Sequence, residues 1–373
     1  MALDLTFSFV SADGHVVEPA DLWTTRMDRR FRDRAPHIDA QPQGDFFVID
    51  GVPPLPIGIE SVAIEDKIAG RATTPQGRHD QARPGASDPA ARLVDQELDH
   101  LRAEVIYPNL GLALGAAPDD DYVHECCRAY NDWLSEFCAA APRRLLGVAL
   151  LSLKGPVAWA AEEAQRAAKK GLCSFMIPTE VPGHSYQEKE YNRLWAALEE
   201  IGLPVALHVA AEEPFYTKVG RLGFIRALID TKICSPERAV ADLIFGAVPQ
   251  RYPNLRFVIA EGGIGWIAAL LRTMDHWWED HHGWMRPKVE EKPSVYFRRQ
   301  FWATFEDDRA GVMTRNLIGV DRLMWGSDYP HTEGTFPRSL EQISKDFADV
   351  PDSDVRKMVV SNAATLYRLD ATE

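Results

Sequence analysis

Long apolar runs are missing from this 373-residue chain; none approaches the roughly 20 residues of a membrane helix, so no spanning segment is expected. Cysteine is scarce as well. Five are present, two of them adjacent as Cys126-Cys127, and none stands in a Cys-x-x-C spacing. Neither a disulfide framework nor a thiolate zinc site is therefore expected. Basic charge is in short supply: 41 Lys and Arg against 55 Asp and Glu leave a formal net charge of -14. A surface without a basic field is no general binder of nucleic acid or anionic membrane, while it says little about the small-molecule substrate that is expected, which responds only to local charge. The N-terminus lacks the basic-then-apolar layout of a secretory leader, which, with reduced cysteines, leads to the expectation of a cytoplasmic protein. No Gly-rich loop follows a strand in the pattern that cradles nucleotide phosphates. Ser185, Ser327 and the cysteines stand outside any Gly-x-Ser-x-Gly elbow or Cys/His pairing, which argues against a covalent nucleophile.

What is abundant is alternation. Hydrophobic residues make up 46% of the chain, and short apolar runs alternate with longer stretches of helical period. Eight such runs stand out: Leu5 to Ser11, Glu104 to Pro108, Leu145 to Leu151, Cys173 to Pro178, Pro204 to Val209, Leu255 to Ala260, Gln300 to Thr304 and Arg322 to Ser327. Between them the pattern predicts helices over Asp88 to Leu101, Asp119 to Ala140, Pro156 to Lys170, Tyr191 to Ile201, Pro236 to Val248, Ile264 to Asp280 and Asp307 to Asn316. Pro337 to Phe347 and Asp352 to Leu366 close the chain. Eight strands each followed by helix predict an α/β fold, a TIM-type (β/α)8 barrel forming one domain over residues 1–373, with its reactive face at the C-terminal strand ends.

Residues 19–89 do not fit the repeat. Rich in Pro, Gly, Asp and Arg, with one hairpin-like piece from Phe46 to Val52 turning at Asp50-Gly51, they read as a lid-like insertion after the first strand. Arg71, Arg78 and His79 are its candidate substrate contacts, alongside Tyr107, Asn109, Thr179 and Glu180 on later loops. Trp277-Trp278, Trp284 and the run from Tyr296 to Trp302 add aromatics of the kind that pack at subunit contacts, so a homo- or hetero-oligomer is expected. His281-His282 beside Trp284 reads as a surface turn.

With a barrel in view, polar residues at strand ends become selective. The first run leads into Asp13 and His15, two apart and so on one side of a strand. The fifth carries His208, the sixth ends in Glu261, and the eighth delivers Asp328 followed by His331. A carboxylate is costly to bury without a metal or partner. Imidazole nitrogen and carboxylate oxygen suit a divalent ion such as Zn, Mn, Fe or Co, and Asp13, His15, His208 and Asp328 would hold one while leaving open positions for water or substrate. Water bound there would be acidified toward neutral pH, with Asp328 as ligand, base or both.

The segments Asp13-Gly14-His15-Val16-Val17-Glu18-Pro19, His208, Glu261-Gly262-Gly263-Ile264-Gly265-Trp266, Trp325-Gly326-Ser327-Asp328-Tyr329-Pro330-His331 and Asn362-Ala363-Ala364-Thr365-Leu366-Tyr367 resemble the amidohydrolase-2 branch of the amidohydrolase superfamily, typified by aminocarboxymuconate-semialdehyde decarboxylase. The resemblance implies a metal-dependent barrel with Asp13, His15, His208 and Asp328 as ligands. It also implies hydrolysis or non-oxidative decarboxylation of a small carboxylate or carbonyl compound, with Glu261 or His331 relaying protons. Two positions depart from that pattern. Asp-x-His stands where the decarboxylases usually have His-x-His or Glu-x-His, and Glu261 stands where they tend to place a histidine. A glutamate donates a proton at neutral pH only if its pKa is raised. Glu261, His331 and His276 would, turned inward, hold a second ion. That arrangement implies a dinuclear Fe, Mn or Co monooxygenase, as in some members resembling this subgroup, where the one-ion enzyme would hold zinc first. A third reading, a metal-bound but non-catalytic partner subunit, is opposed by the intact ligand set.

Overall fold

The computed structural model describes residues 7–58, 62, 64–72, 74, 76–211 and 225–369. Eight parallel strands lie in chain order around a barrel: β1 (Phe9–His15), β5 (Leu101–Tyr107), β6 (Leu145–Leu150), β7 (Ser174–Pro178), β8 (Val205–His208), β9 (Phe257–Ala260), β10 (Phe301–Phe305) and β11 (Leu323–Trp325). Between β1 and β5, β2 (His37–Gln41), β3 (Gly44–Val48) and β4 (Leu55–Pro56) make a separate antiparallel sheet. The barrel strands are buried along nearly their whole length, which is why the sequence reads them as continuous apolar runs rather than alternating ones. The outer strands meet at a seam where Asp328 N–H donates to the Asp13 carbonyl at 2.9 Å and Ser327 N–H donates to Ser11 Oγ at 2.9 Å. The approach there is so close that a Cβ on Gly326 would lie 2.5 Å from Asp13 Cβ. No helix among the described residues is long and apolar enough to cross a membrane.

Several boundaries move, each for a local reason. The first strand was expected to end at Ser11, but it continues to His15 because a bulge between Ser11 and Gly14 inserts an extra residue against β5. Leu5 and Thr6 of that expected strand lie outside the described residues. Leu101, expected at the end of a helix, instead begins β5, since the preceding helix (Pro89–Leu98) stops at Leu98. The expected closing helix is interrupted by a wide turn at Lys357–Ser361. A helix over Pro293–Gln300 was not foreseen; it starts on Pro293, and Tyr296 and Phe297 turn into the core. Those aromatics are thus not available to a subunit contact, whereas Trp277 and Trp284 are exposed.

The described part of residues 19–89 packs on the barrel. Trp23 is buried against Phe47 and donates its indole N–H to the Cys126 carbonyl at 3.1 Å, on the helix Asp120–Ala139. Ile64 and Ala86 join Val17, Tyr329 and Phe336 in a small apolar cluster, so this segment lies directly against the loop that follows β11. The Asp50-Gly51 turn joins β3 to β4, and a further strand, β2, pairs with β3. Arg71 is paired with Asp66, and Arg78 with Asp45 at 2.8 Å, which ties both down within the insertion.

Candidate metal centre

Two strand ends present imidazoles whose tautomer the backbone settles. His15, at the end of β1, has Nδ1 2.7 Å from the Pro108 carbonyl; His208, at the end of β8, has Nδ1 2.7 Å from the Val209 carbonyl. A carbonyl only accepts, so each Nδ1 carries the hydrogen, which makes Nε2 the nitrogen turned toward the mouth and the one a metal would take. Both rings are fully buried, and neither Nε2 has a hydrogen-bond partner. Burial also pushes His208 down to about 4, so its ring is neutral at physiological pH. Ligating histidines are held in this way, the second ring nitrogen donating to a carbonyl or carboxylate.

Carboxylates face those nitrogens. Asp13 Oδ1 lies 3.8 Å from His15 Nε2 and 4.0 Å from His208 Nε2, without a hydrogen bond of its own. Its other oxygen accepts from Thr304 Oγ at 2.6 Å, and the same hydroxyl accepts the Glu261 N–H at 2.8 Å. Asp328 Oδ1 is 3.4 Å from His15 Nε2, and Asp328 Oδ2 is buried without a partner. Glu261 Oε2 is 3.4 Å from His208 Nε2 and 3.7 Å from His15 Nε2. Glu261 and Asp328 both sit in the left-handed backbone region, φ 60° and 54°, which turns their side chains from the strand line into the mouth at a conformational cost of order 1–3 kcal/mol each.

The ligand atoms form two overlapping groups, each with its members within 4.8 Å of one another: Asp13, His15 and His208, and His15, Glu261, Asp328 and His331. Orphaned, buried nitrogen and oxygen atoms converging on one point are what a divalent ion satisfies, and the donor set fits one. The charge balance agrees. Burial raises Asp13 well above the carboxylate range, and Glu261, Glu306 and Asp328 add repulsion that a cation would relieve.

Two partners temper that repulsion. His331 Nδ1 stands 2.9 Å from Asp328 Oδ1, and its ring stacks on His15 at 4.0 Å. Burial opposes charge on His331, but Asp328 and Glu261 push it up to about 10; in return His331 and His15 hold Asp328 far below the usual range despite its own burial. Lys232 Nζ lies 2.9 Å from Glu261 Oε1 and 3.3 Å from Glu333 Oε1. Burial and the neighbouring Asp328 would raise Glu261, yet Lys232 together with His208 and His331 outweighs them and keeps the group a carboxylate. Lys232 comes from a wide turn, Asp230–Cys234, ahead of the helix Ser235–Phe245.

The structure therefore brings Asp13, His15, His208, Glu261, Asp328 and His331 together. It does not bring in His276, whose side chain is half exposed on the helix Ile267–His281 beside Asp280 at 3.9 Å. The expectation that His276 turns inward is corrected by the helix itself: Met274 faces the core, and two residues on, the direction is rotated about 200° away. Of the loop candidates, Tyr107 walls the site, its ring 4.9 Å from that of His208, and Asn109 Oδ1 is 3.3 Å from His331 Nε2. Thr179 and Glu180 instead bind Ser235 and Arg238. Lys232, Thr304 and Glu306 were missed. Glu306 follows β10 as Glu261 follows β9, a signal present in the sequence; burial, with help from Asp328, Glu261 and Glu333 and against Lys232, raises it to about 8.

The sequence model of the amidohydrolase family, Amidohydro_2, matches residues 17–369. The γ-resorcylate decarboxylase of Rhodococcus jostii is 28% identical over 309 residues, covering 75% of this chain and 90% of that protein. Among solved structures, an amidohydrolase from Mycobacterium avium subsp. paratuberculosis superposes with a TM-score of 0.78 at 21% identity, over 97% of this chain and 100% of that one. The 5-carboxyvanillate decarboxylase of Novosphingobium aromaticivorans, solved with bound manganese, gives 0.69 at 15% identity over 98% of each chain. With the family match running across nearly the whole barrel and the ligand set at its mouth, this chain belongs to the amidohydrolase-2 family and is a metal-dependent enzyme.

Proposed function

We propose that the enzyme removes CO2 non-oxidatively from a small aromatic or muconate-type carboxylate, with zinc or manganese held by Asp13, His15, His208 and Asp328. A bound ion there would polarise a substrate oxygen as a Lewis acid. In such a reaction the bond to the carboxylate carbon breaks, CO2 departs, and the electron pair left on the neighbouring carbon takes up a proton. The chain must therefore keep a proton beside the substrate. Glu261 is unsuited to that role, because Lys232 holds it ionised. The His331–Asp328 pair is suited to it, with a charged imidazole 2.9 Å from a carboxylate at the rim. That buried pair is the observation that carries the reading, and the decarboxylase relatives support it.

The test is CO2 release from a panel of ortho-hydroxybenzoates and muconate-type acids by enzyme loaded with Mn2+ or Zn2+, run in D2O. Decarboxylation places deuterium at the vacated carbon, and His331→Gln slows it. Cleavage of lactones or esters with no CO2 from any acid would make the enzyme a hydrolase, with ionised Glu261 as the base. One observation favours a second reading. The two ligand groups share only His15, which suits a two-ion centre and, with iron, manganese or cobalt and an external electron donor, a monooxygenase. Metal analysis separates these: about one ion per chain for the decarboxylase, about two redox-active ions for the oxygenase. The exposed Trp277 and Trp284 support a homo- or hetero-oligomeric contact on that face, which light scattering would reveal.

A further inference from the structure

The opening motif contains a second acid that neither the ligand set nor the proton pair uses. Glu18 is fully buried, three residues past His15, and its carboxylate accepts three successive backbone N–H groups. Oε1 takes those of Asn109 at 3.1 Å and Gly111 at 2.9 Å, and Oε2 takes that of Leu110 at 2.9 Å. These amides open the tight turn Leu110–Ala116, an end that presents unpaired donors to an anion.

The clasped segment includes or directly follows the residues that orient two of the imidazoles. The Pro108 carbonyl accepts from His15 Nδ1, and Asn109 Oδ1 lies 3.3 Å from His331 Nε2. The carbonyl of Glu18 in turn lies 2.9 Å from His79 Nε2, so the insertion braces the same point. One side chain thus joins the insertion, the turn after β5, one ligand ring and the proton-holding ring. We infer that Glu18 is a positioning residue: by clasping residues 109–111 it sets the ring directions of His15 and His331, and so the affinity of the site for its ion. This rests on the reading of His15 as a ligand.

Glutamine at position 18 keeps the shape but offers one accepting oxygen to three amides and turns an NH2 donor toward them. The experiment measures the Mn2+ dissociation constant of the full chain by chelator competition, for wild type, Glu18→Gln, His15→Ala and Asp354→Ala. The last removes the partner of Arg315, 2.9 Å away on the outer helices, and serves as a control for lost stability. Glu18→Gln is expected to bind Mn2+ about 10- to 100-fold more weakly, the range of outer-shell changes at metal sites, with its far-UV CD unchanged. Asp354→Ala is expected to keep wild-type affinity. Glu18→Gln within about twofold of wild type, or Asp354→Ala weakened as much as Glu18→Gln, overturns the proposal. If His15→Ala binds as wild type does, the ligand reading itself has failed and the proposal falls with it. Should Glu18→Gln not fold, Glu18→Asp takes its place, one methylene too short to span three amides, and an affinity within about twofold of wild type is again the overturning result.

Discussion

His15 and His208 end their strands with Nδ1 tied to a main-chain carbonyl 2.7 Å away, whereas Glu261, beyond β9, leans on a lysine reaching in from another element, and Glu306, beyond β10, is raised to about 8 in spite of it. The first half of the rim is set by backbone geometry. A neutral imidazole needs only its tautomer and direction fixed, and a carbonyl supplies both at little desolvation cost. The second half is set by charge. Carboxylates crowded into a buried mouth repel one another, and they stay ionised only where a cation compensates. Lys232 and His331 provide that from the protein side, and a divalent ion would provide the rest.

Experiments can break this contrast, beginning with the largest effect. His208→Ala removes a proposed ligand from the backbone-set half, and its loss of bound metal and of the proposed CO2 release should exceed about 100-fold, beyond what outer-shell changes produce. Metal analysis and turnover read it. Lys232→Met strikes the charge-set half and leaves Glu261 and Glu333 uncompensated, for a loss of about 1–3 kcal/mol in urea unfolding of the metal-free protein. Saturating Mn2+ should restore much of that stability, and Lys232→Arg should retain most of it without metal. Thr304→Val touches both halves, since its hydroxyl donates to Asp13 and accepts from the Glu261 amide. It should cost about 1–2 kcal/mol in the same unfolding measurement, with a smaller shift in metal affinity than His208→Ala. His276→Ala lies outside both halves, and its stability should stay within about 0.5 kcal/mol of wild type with unchanged metal content.

How far the site could be read in advance follows the same division. Asp13, His15, His208 and Asp328 were legible because each ends or extends a buried strand, where the period of two and the end of an apolar run both point at the barrel mouth. Glu261 was legible as a position but not as a chemical state, since its charge depends on Lys232, 29 residues away in sequence. Lys232 itself carries no local signal. Its turn is a short break ahead of an amphipathic helix, and only the fold aims the side chain at β9. Glu18 was visible in the motif, yet its three amide donors come from beyond β5. His276 shows the converse error: a ligand-type residue near the site in sequence faces outward because the buried Met274 sets the rotation of the helix.

The sequence by itself determined the barrel and the kinds of atom at its strand ends. Strand period, apolar run length and helix caps act between near neighbours and need no knowledge of the rest. Only the tertiary structure decided which rim groups converge, which tautomer each imidazole holds and which acids stay charged. Those outcomes depend on distances and desolvation between residues far apart in the chain, as with Glu18 and the amides of 109–111, or Lys232 and Glu261.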